Sequence, residues 1–247
     1  MSMKRLLADG TNNALRPLGV QIVRGYSADT GVKSFVSARK TIAAARHDGV
    51  PISDYIDAHN AEPGTTAASV ETMLKLADLD KTVSRVCEIG PGTGRYAEKV
   101  IAALQPNVYE MYETARDWLP HLRRLPGAKM QAADGRTLGS TASASVDLVH
   151  ANKVFVYIPL VTTVGYLQEM ARVVRPGGAA AFDIITEDCM DESVTNCWVA
   201  QNATIYSMIS RQWTVDLLDR RGLSLLGSSF ASLTAGRTEM LVFRKRE

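Results

Sequence analysis

The stretch VCEIGPGTG, residues 86–94, decides the fold of this chain of 247 residues. It completes a short apolar, β-branched run, VSRVCEIG at 83–90, which is typical of a buried strand that stops at a glycine. Three glycines then alternate along the turn, at Gly90, Gly92 and Gly94, before a helical pattern begins. Glycine suits such a turn because the backbone takes unusual angles there, and because a ligand can approach it without meeting a Cβ atom.

Strands alternate with helices along the rest of the chain. The other predicted strands are 108–113, 129–134, 145–151, 179–185, 223–232 and 238–245, and the predicted helices are 95–104, 117–125, 162–174 and 212–222. This alternation indicates βαβ units and a mainly parallel sheet. The last two strands follow each other directly, which indicates a hairpin. The sequence therefore predicts an α/β, doubly wound, mainly parallel seven-stranded sheet with a C-terminal antiparallel hairpin.

Composition excludes several classes of protein. The 28 basic and 26 acidic residues leave a net charge of +2, which argues against a general nucleic-acid binder. The cysteines Cys87, Cys189 and Cys197 have no CxxC spacing, so neither a zinc site nor a disulfide framework is expected, and a cytoplasmic location fits best. No uncharged run approaches the roughly 18 residues of a membrane span, and no secretion signal is evident.

The spacing of the glycine turn discriminates between nucleotide-binding motifs. A dinucleotide fingerprint, GxGxxG, would place its third glycine at Arg95, and a P-loop would need GK[ST]. The observed pattern, hydrophobic–acidic–hydrophobic–GxGxG, resembles the first motif of class I S-adenosylmethionine (SAM)-dependent methyltransferases. LQEMARVVRPGG at 167–178 is also similar to that family's LxExxRVLxPGG segment. The resemblance is firm over about residues 83–185 and looser over 211–245; a tight turn without ligand is the alternative.

The acidic residues that follow the next two strands add to this resemblance. Glu113 ends the second strand, where its carboxylate could accept two hydrogen bonds from the ribose hydroxyls, although NAD-binding folds use the same device. Asp134 ends the third strand, and the resemblance implies a contact with adenine. The alternative for Asp134 is an ordinary Asp-Gly turn, and the alternative for Glu113 is a solvated residue at the strand end. The resemblance thus implies a cofactor-binding set of Glu88, Gly90, Gly92, Gly94, Glu113, Asp134 and Gly135.

Candidate catalytic residues follow strands four and five, at the edge where we expect the acceptor. His150 could take a proton near neutral pH, and Asp183 and Glu187 could act as base, orient His150 or bind the acceptor. The alternatives are a hydrogen-bonded structural histidine and, for Glu187, capping of the next helix. Clustered acids beside a histidine could also hold a divalent cation, but no spacing demands a metal ion, so none is expected. Four aromatic residues could line a pocket or form core: Tyr157, Trp198, Tyr206 and Trp213.

The predicted organisation is an N-terminal helical extension or lid at 1–60 and a SAM-binding methyltransferase domain at 61–247. The predicted function is methyl transfer from SAM to a small-molecule acceptor, with O-methylation of a hydroxyl on a sugar or secondary metabolite favoured and S-adenosylhomocysteine as product. No nucleic-acid partner is expected, and a homodimer stays open. An NAD(P)-dependent oxidoreductase and a non-catalytic SAM-binding protein are the rival hypotheses.

Overall fold

The computed structural model describes residues 26–27, 31–32, 36–60, 63–79, 83–200, 206–233 and 236–247. The chain divides into two compact units, Met1–Lys33 and Ser34–Glu247. In the first unit, Tyr26–Ser27 pairs antiparallel with Gly31–Val32. The second unit holds the main sheet and the helices that cover it. None of the helices in the described part of the chain is long and apolar enough to span a membrane.

The elements of the second unit alternate as the sequence predicts. Its strands are β1 Arg85–Ile89, β2 Val108–Tyr112, β3 Ala128–Met130, β4 Val146–Ala151, β5 Val174–Ile184, β6 Leu223–Leu233 and β7 Gly236–Lys245. Its α-helices are α1 Ala38–Asp48, α2 Ile52–Asn60, α3 Thr65–Ala77, α4 Arg95–Leu104, α5 Leu119–Leu122, α6 Leu160–Val173, α7 Glu192–Ala200 and α8 Arg211–Asp219. Short 3₁₀ turns lie at Phe155–Tyr157 and Glu187–Cys189.

The seven strands lie in the order β3-β2-β1-β4-β5-β7-β6. Strands β1 to β5 pair in parallel, whereas β7 runs antiparallel to both β5 and β6. This confirms the predicted fold class, including the C-terminal hairpin. The strand order reverses between β1 and β4, and in open α/β sheets ligands bind beyond the carboxyl ends of the strands at such a switch point.

Helices cover both faces of the sheet, which is why the central strands are apolar almost throughout. One apolar cluster joins α3, α4 and the α5 region to one face, and a second joins α6 and α8 to the other. Representative members of the first cluster are Met73, Val86, Val100, Tyr109 and Leu122, and of the second Val149, Leu167, Met170, Phe182 and Leu218.

The third strand is shorter than the sequence suggests. It ends at Met130, so the predicted strand 129–134 is wrong over its last four residues, and Asp134 and Gly135 lie in the loop that follows. The physical reason is that β3 is an edge strand. It pairs only with β2 and buries neither face fully, so apolar residues do not force its continuation.

The helices of the predicted extension belong to the same compact unit as the sheet. Helices α1 and α2 both fall within Ser34–Glu247. Asp57 of α2 is buried and accepts hydrogen bonds from the backbone N–H and hydroxyl of Thr66, at 3.1 and 2.5 Å. Most of residues 1–35 lie outside the described residues, so a lid role for the extension stays a prediction.

Candidate functional site

The three glycines of the turn all have positive φ, at +63° for Gly90, +53° for Gly92 and +81° for Gly94. A Cβ atom at Gly90 would meet Val154 Cγ2 at 2.8 Å, and one at Gly94 would meet Leu122 Cδ2 at 3.0 Å. At Gly92 the nearest atom to such a Cβ would be the Gly90 carbonyl oxygen, at 4.0 Å. Gly90 and Gly94 therefore allow internal packing, whereas Gly92 presents bare backbone to open space.

Glu113 lies directly beside this bare stretch of backbone. Its carboxylate accepts hydrogen bonds from the N–H groups of Gly92 and Ala115, each at 2.6 Å. Burial raises the pKa of Glu113 above its ordinary value, and these backbone N–H donors partly oppose the shift. The end of β2 thus supplies a carboxylate at the turn after β1, two elements that the parallel register of β1 and β2 brings together.

Arg95, the residue that replaces the third glycine of a dinucleotide fingerprint, begins α4. Its guanidinium lies 3.2 Å from Asp57 Oδ1 and 4.8 Å from the centre of the Tyr96 ring. The pairing ties α2 to the first turn of α4, immediately after the glycine turn. No local sequence pattern marks Asp57 as part of this region, because its partner lies 38 positions away.

A chain of buried polar groups connects β1, β2 and the end of β4. The Tyr109 hydroxyl donates to Glu88 Oε2 at 2.8 Å and lies 2.8 Å from His150 Nε2, while the Asn152 amide lies 2.9 Å from His150 Nδ1. One arrangement satisfies every contact: Asn152 donates to Nδ1, a proton on Nε2 is donated to Tyr109, and Tyr109 donates to Glu88. Burial raises the pKa of Glu88 to about 8.

This arrangement bears on His150 as a candidate base. The ring is fully buried, and burial lowers its pKa to about 3. Both ring nitrogens are engaged by protein side chains, Nε2 by Tyr109 and Nδ1 by Asn152. Neither nitrogen therefore has a free lone pair that could remove a proton from the methyl acceptor. The geometry thus favours a structural role for His150 over a role as the catalytic base. Glu88 is equally buried, so its carboxylate is not exposed beside the turn.

Asp183 and Lys153 form a buried ion pair at the ends of β5 and β4. Asp183 accepts from the backbone N–H of Lys153 at 2.6 Å and from the Thr238 hydroxyl at 2.8 Å, and Lys153 Nζ lies 3.0 Å from Asp183 Oδ2. Lys153 has a positive φ of +56°, rare for a residue with a side chain. The pair brings the predicted residue Asp183 together with a lysine that the sequence analysis did not single out as a candidate.

The remaining candidates are engaged in local structure. Glu187 accepts from the backbone N–H of Arg211, at 2.9 Å, which lowers its pKa and caps the start of α8. Asp134 accepts from the N–H groups of Arg136 and Thr137 and from the Thr137 hydroxyl. Partial burial acts to raise the pKa of Asp134, but these hydrogen bonds lower it overall. Glu187 thus caps a helix, although that helix is α8 and not α7, the next one along the chain, and the turn alternative accounts for Asp134.

A cavity of about 400 Å³ opens beyond the carboxyl end of β5. Two of the four aromatic residues considered from the sequence, Trp198 and Tyr206, line it, and Tyr157 packs against Tyr206 with ring centres 5.9 Å apart. Trp213 lies on α8 with 42% of its surface exposed. Within the described residues, no group of three or more His, Cys, Asp or Glu side chains is arranged to hold a metal ion.

The chain is similar to known proteins in both sequence and structure. Residues 63–227 match the family model of a methyltransferase domain. A curated relative, the malonyl-[acyl-carrier protein] O-methyltransferase of Methylococcus capsulatus, is 30% identical over 173 residues, which are 68% of this chain. The match spans 58% of that relative, less than two thirds of its length.

Two solved structures show the same fold. Magnesium protoporphyrin IX methyltransferase from Synechocystis, solved with bound S-adenosylhomocysteine, aligns with a TM-score of 0.57 at 13% identity, over 99% of this chain and 100% of that one. The N-methyltransferase NodS from Bradyrhizobium japonicum aligns with a TM-score of 0.53 at 15% identity, over 75% and 99% of the two chains. At these identities the likeness concerns the fold alone.

Proposed function

This chain belongs to the class I SAM-dependent methyltransferases, and from that premise we propose that it transfers the methyl group of SAM to an oxygen atom of a small molecule. Its cofactor is SAM and the spent product is S-adenosylhomocysteine. The family match sets aside the NAD(P)-dependent oxidoreductase, which Arg95 also disfavours. The observation that carries the proposal is the open backbone at Gly92 beside the Glu113 carboxylate.

The residues at this edge suit the cofactor. Bound SAM supplies a methyl group on a sulfonium centre, already activated toward nucleophiles. Glu113 would accept hydrogen bonds from the ribose hydroxyls, and the backbone around Gly92 would let the nucleoside lie close to β1. The protein then has to hold the acceptor in line with the methyl group, and alignment alone lowers a barrier by roughly 7–11 kcal/mol.

Transfer to oxygen is supported by the curated relative, whose name describes an O-methyltransferase. All three candidate bases are already bound to other protein groups, which narrows the chemical class of the acceptor. His150 is enclosed by Tyr109 and Asn152, Asp183 is paired with Lys153, and Glu187 caps α8. An oxygen that is already ionised at neutral pH, such as a carboxylate, needs none of them. We therefore favour a carboxylate over the alcohol hydroxyl expected from the sequence.

The kind of bond formed distinguishes these acceptors directly. We would incubate the protein with methyl-tritiated SAM and matched small carboxylic acids, alcohols and amines. Mild alkali releases volatile tritiated methanol from a methyl ester but not from an ether or a methylamine. The proposal predicts alkali-labile label with the acids. Alkali-stable label on an alcohol would support O-methylation of a hydroxyl instead. Label only on amines, or SAM binding without transfer to any acceptor, would contradict the proposal.

A further inference from the structure

The cavity beyond β5 lies at the same sheet edge as the glycine turn. Ile185, part of its wall, follows β5 directly and is two residues after Asp183. Met208, on another part of the wall, pairs with Ile185 through a parallel bridge, and Ile209 donates its N–H to the Ile185 carbonyl at 2.9 Å. The backbone hydrogen bonds therefore fix this side of the cavity relative to the end of the sheet.

An aromatic contact links the cavity to the segment that follows β4. Tyr206 lines the cavity and packs on Tyr157, which follows β4. Burial raises the pKa of Tyr157 to about 12, the Tyr206 and Asp183 charges act in the same direction, and Arg95 opposes them. The contact therefore joins the cavity to the short turn Phe155–Tyr157 that follows β4.

The lining has the chemistry of a site for an aromatic ring. The residues are Ile185, Met190, Thr195, Trp198, Val199, Tyr206 and Met208, none of them charged. The Trp198 and Tyr206 rings lie with centres 4.9 Å apart at an angle of 43°. Aromatic rings favour such tilted neighbours, and methionine sulfur favours contact with ring edges. The Thr195 hydroxyl already donates to the Asp191 carbonyl at 2.8 Å.

Gly236 of β7 allows α7 to form this wall. A Cβ atom there would lie 2.9 Å from both Trp198 Cζ2 and Val194 Cγ1. Trp198 therefore rests directly on strand backbone. Sugar hydroxyls or a charged group placed in this cavity would lose their hydrogen bonds to water without gaining hydrogen-bond or ionic partners from the lining, which costs free energy.

We propose that this cavity holds an aromatic ring of the acceptor, whose carboxylate is directed toward the ends of β4 and β5. The proposal rests on the methyl transfer proposed above and specifies its substrate class as aromatic carboxylic acids. The volume lies within the range of about 300–1,000 Å³ that small-molecule sites occupy.

Two exposed valines on helices provide a matched pair of variants. Val199 lines the cavity and is 74% exposed, so Val199→Trp should narrow the entrance at little cost to folding. Val161, on α6, is 83% exposed and does not line the cavity, so Val161→Trp adds the same bulk elsewhere. Both proteins should bind S-adenosylhomocysteine as the unchanged chain does.

The test is calorimetric titration of protein saturated with S-adenosylhomocysteine with benzoate, cinnamate and 2-naphthoate, and with hexanoate and malonate as non-aromatic acids. We expect at least one aromatic acid to bind tenfold or more tightly than hexanoate and malonate, and to lose at least tenfold in affinity with Val199→Trp but not with Val161→Trp. Equal affinity in the two variants, preference for a non-aromatic acid, or no binding of any aromatic acid at millimolar concentration would each overturn the proposal.

These experiments distinguish failure of the proposed methyl transfer from failure of the cavity proposal. If S-adenosylhomocysteine itself fails to bind, the proposed function fails, and titration of the cofactor-free protein with the same acids still tests the cavity. If S-adenosylhomocysteine binds and alkali-labile label forms only on non-aromatic acids, the cavity proposal fails while methyl transfer to oxygen stands.

Discussion

The backbone N–H of Gly92 donates a 2.6 Å hydrogen bond to the carboxylate of Glu113, which joins the turn after β1 to the end of β2. The contact holds a carboxylate beside a stretch of main chain that no Cβ atom covers. The proposed cofactor site depends on this pair of residues more than on any other.

Alanine substitutions at two glycines of the turn should have different effects. Gly90→Ala places a Cβ atom 2.8 Å from Val154 Cγ2, so we expect it to lower the unfolding temperature markedly. Gly92→Ala meets no protein atom closer than 4.0 Å and should cost only the roughly 1–2 kcal/mol of a left-handed alanine. It should nevertheless weaken SAM binding. Thermal unfolding and calorimetry would check this; unchanged SAM affinity in folded Gly92→Ala would contradict it.

Replacing Glu88 should change how stability depends on pH. The folded-state pKa of about 8 exceeds the ordinary value of 4.5, so between these values the folded chain holds more protons than the unfolded chain. Stability is therefore lost as the pH rises through this window and changes no further above it. Denaturant unfolding from pH 5 to 9 should show this slope reduced in Glu88→Gln. Parallel profiles for the two proteins would refute the shifted pKa.

The network around His150 predicts a structural effect rather than loss of a base. Both His150→Gln and Tyr109→Phe should leave buried polar groups unsatisfied, at about 1–3 kcal/mol each, or several degrees in unfolding temperature. The pH profile of kcat should keep its shape in both. If His150→Gln alone abolished one limb of that profile while Tyr109→Phe kept it, His150 would be the base after all.

The stability contribution of His150 also depends on pH. Its pKa of about 3 lies below the ordinary 6.5, so the unfolded chain binds a proton between these values and the folded chain does not. Stability is therefore complete above about pH 6.5 and falls as the pH decreases toward 3. This acid-side loss should be smaller in His150→Gln than in the unchanged chain, as measured by urea unfolding at pH 4 and 7.

The ion pair between Lys153 and Asp183 should matter far more to stability than an exposed pair at similar distance. Asp183→Asn leaves Lys153, 11% exposed, without its counter-charge and should cost about 3–5 kcal/mol. Asp54→Asn, which breaks the exposed pair with Lys99 at 3.0 Å, should cost at most about 1 kcal/mol. Adding Lys153→Met to Asp183→Asn should recover part of the loss. Equal costs for the two single variants, by urea unfolding, would count against a buried pair.

Local patterns were sufficient to predict the order of the strands and the turn, but not where β3 ends or where β5 begins. Apolar runs that end at glycine or an acidic residue marked β1 and β2 to within two residues, and Glu113 follows β2 directly. The burial that determines the protonation state of His150 was not predictable from the sequence, because its partner Tyr109 lies 41 positions away. The same holds for Asp183, whose charge is met by Lys153, 30 positions before it. Such contacts depend on strand register, which a single sequence does not display.

The most direct test of the account is calorimetric titration of the protein with SAM and S-adenosylhomocysteine, with Glu113→Gln and the exposed Glu71→Gln as a matched pair. Hydrogen bonds to a charged group contribute about 1.5–3 kcal/mol, so Glu113→Gln should lose roughly 10–100-fold in affinity while Glu71→Gln loses none. Circular dichroism would verify that both variants fold. No affinity of the unchanged protein for either nucleoside, or equal affinity in folded Glu113→Gln, would contradict the proposed site.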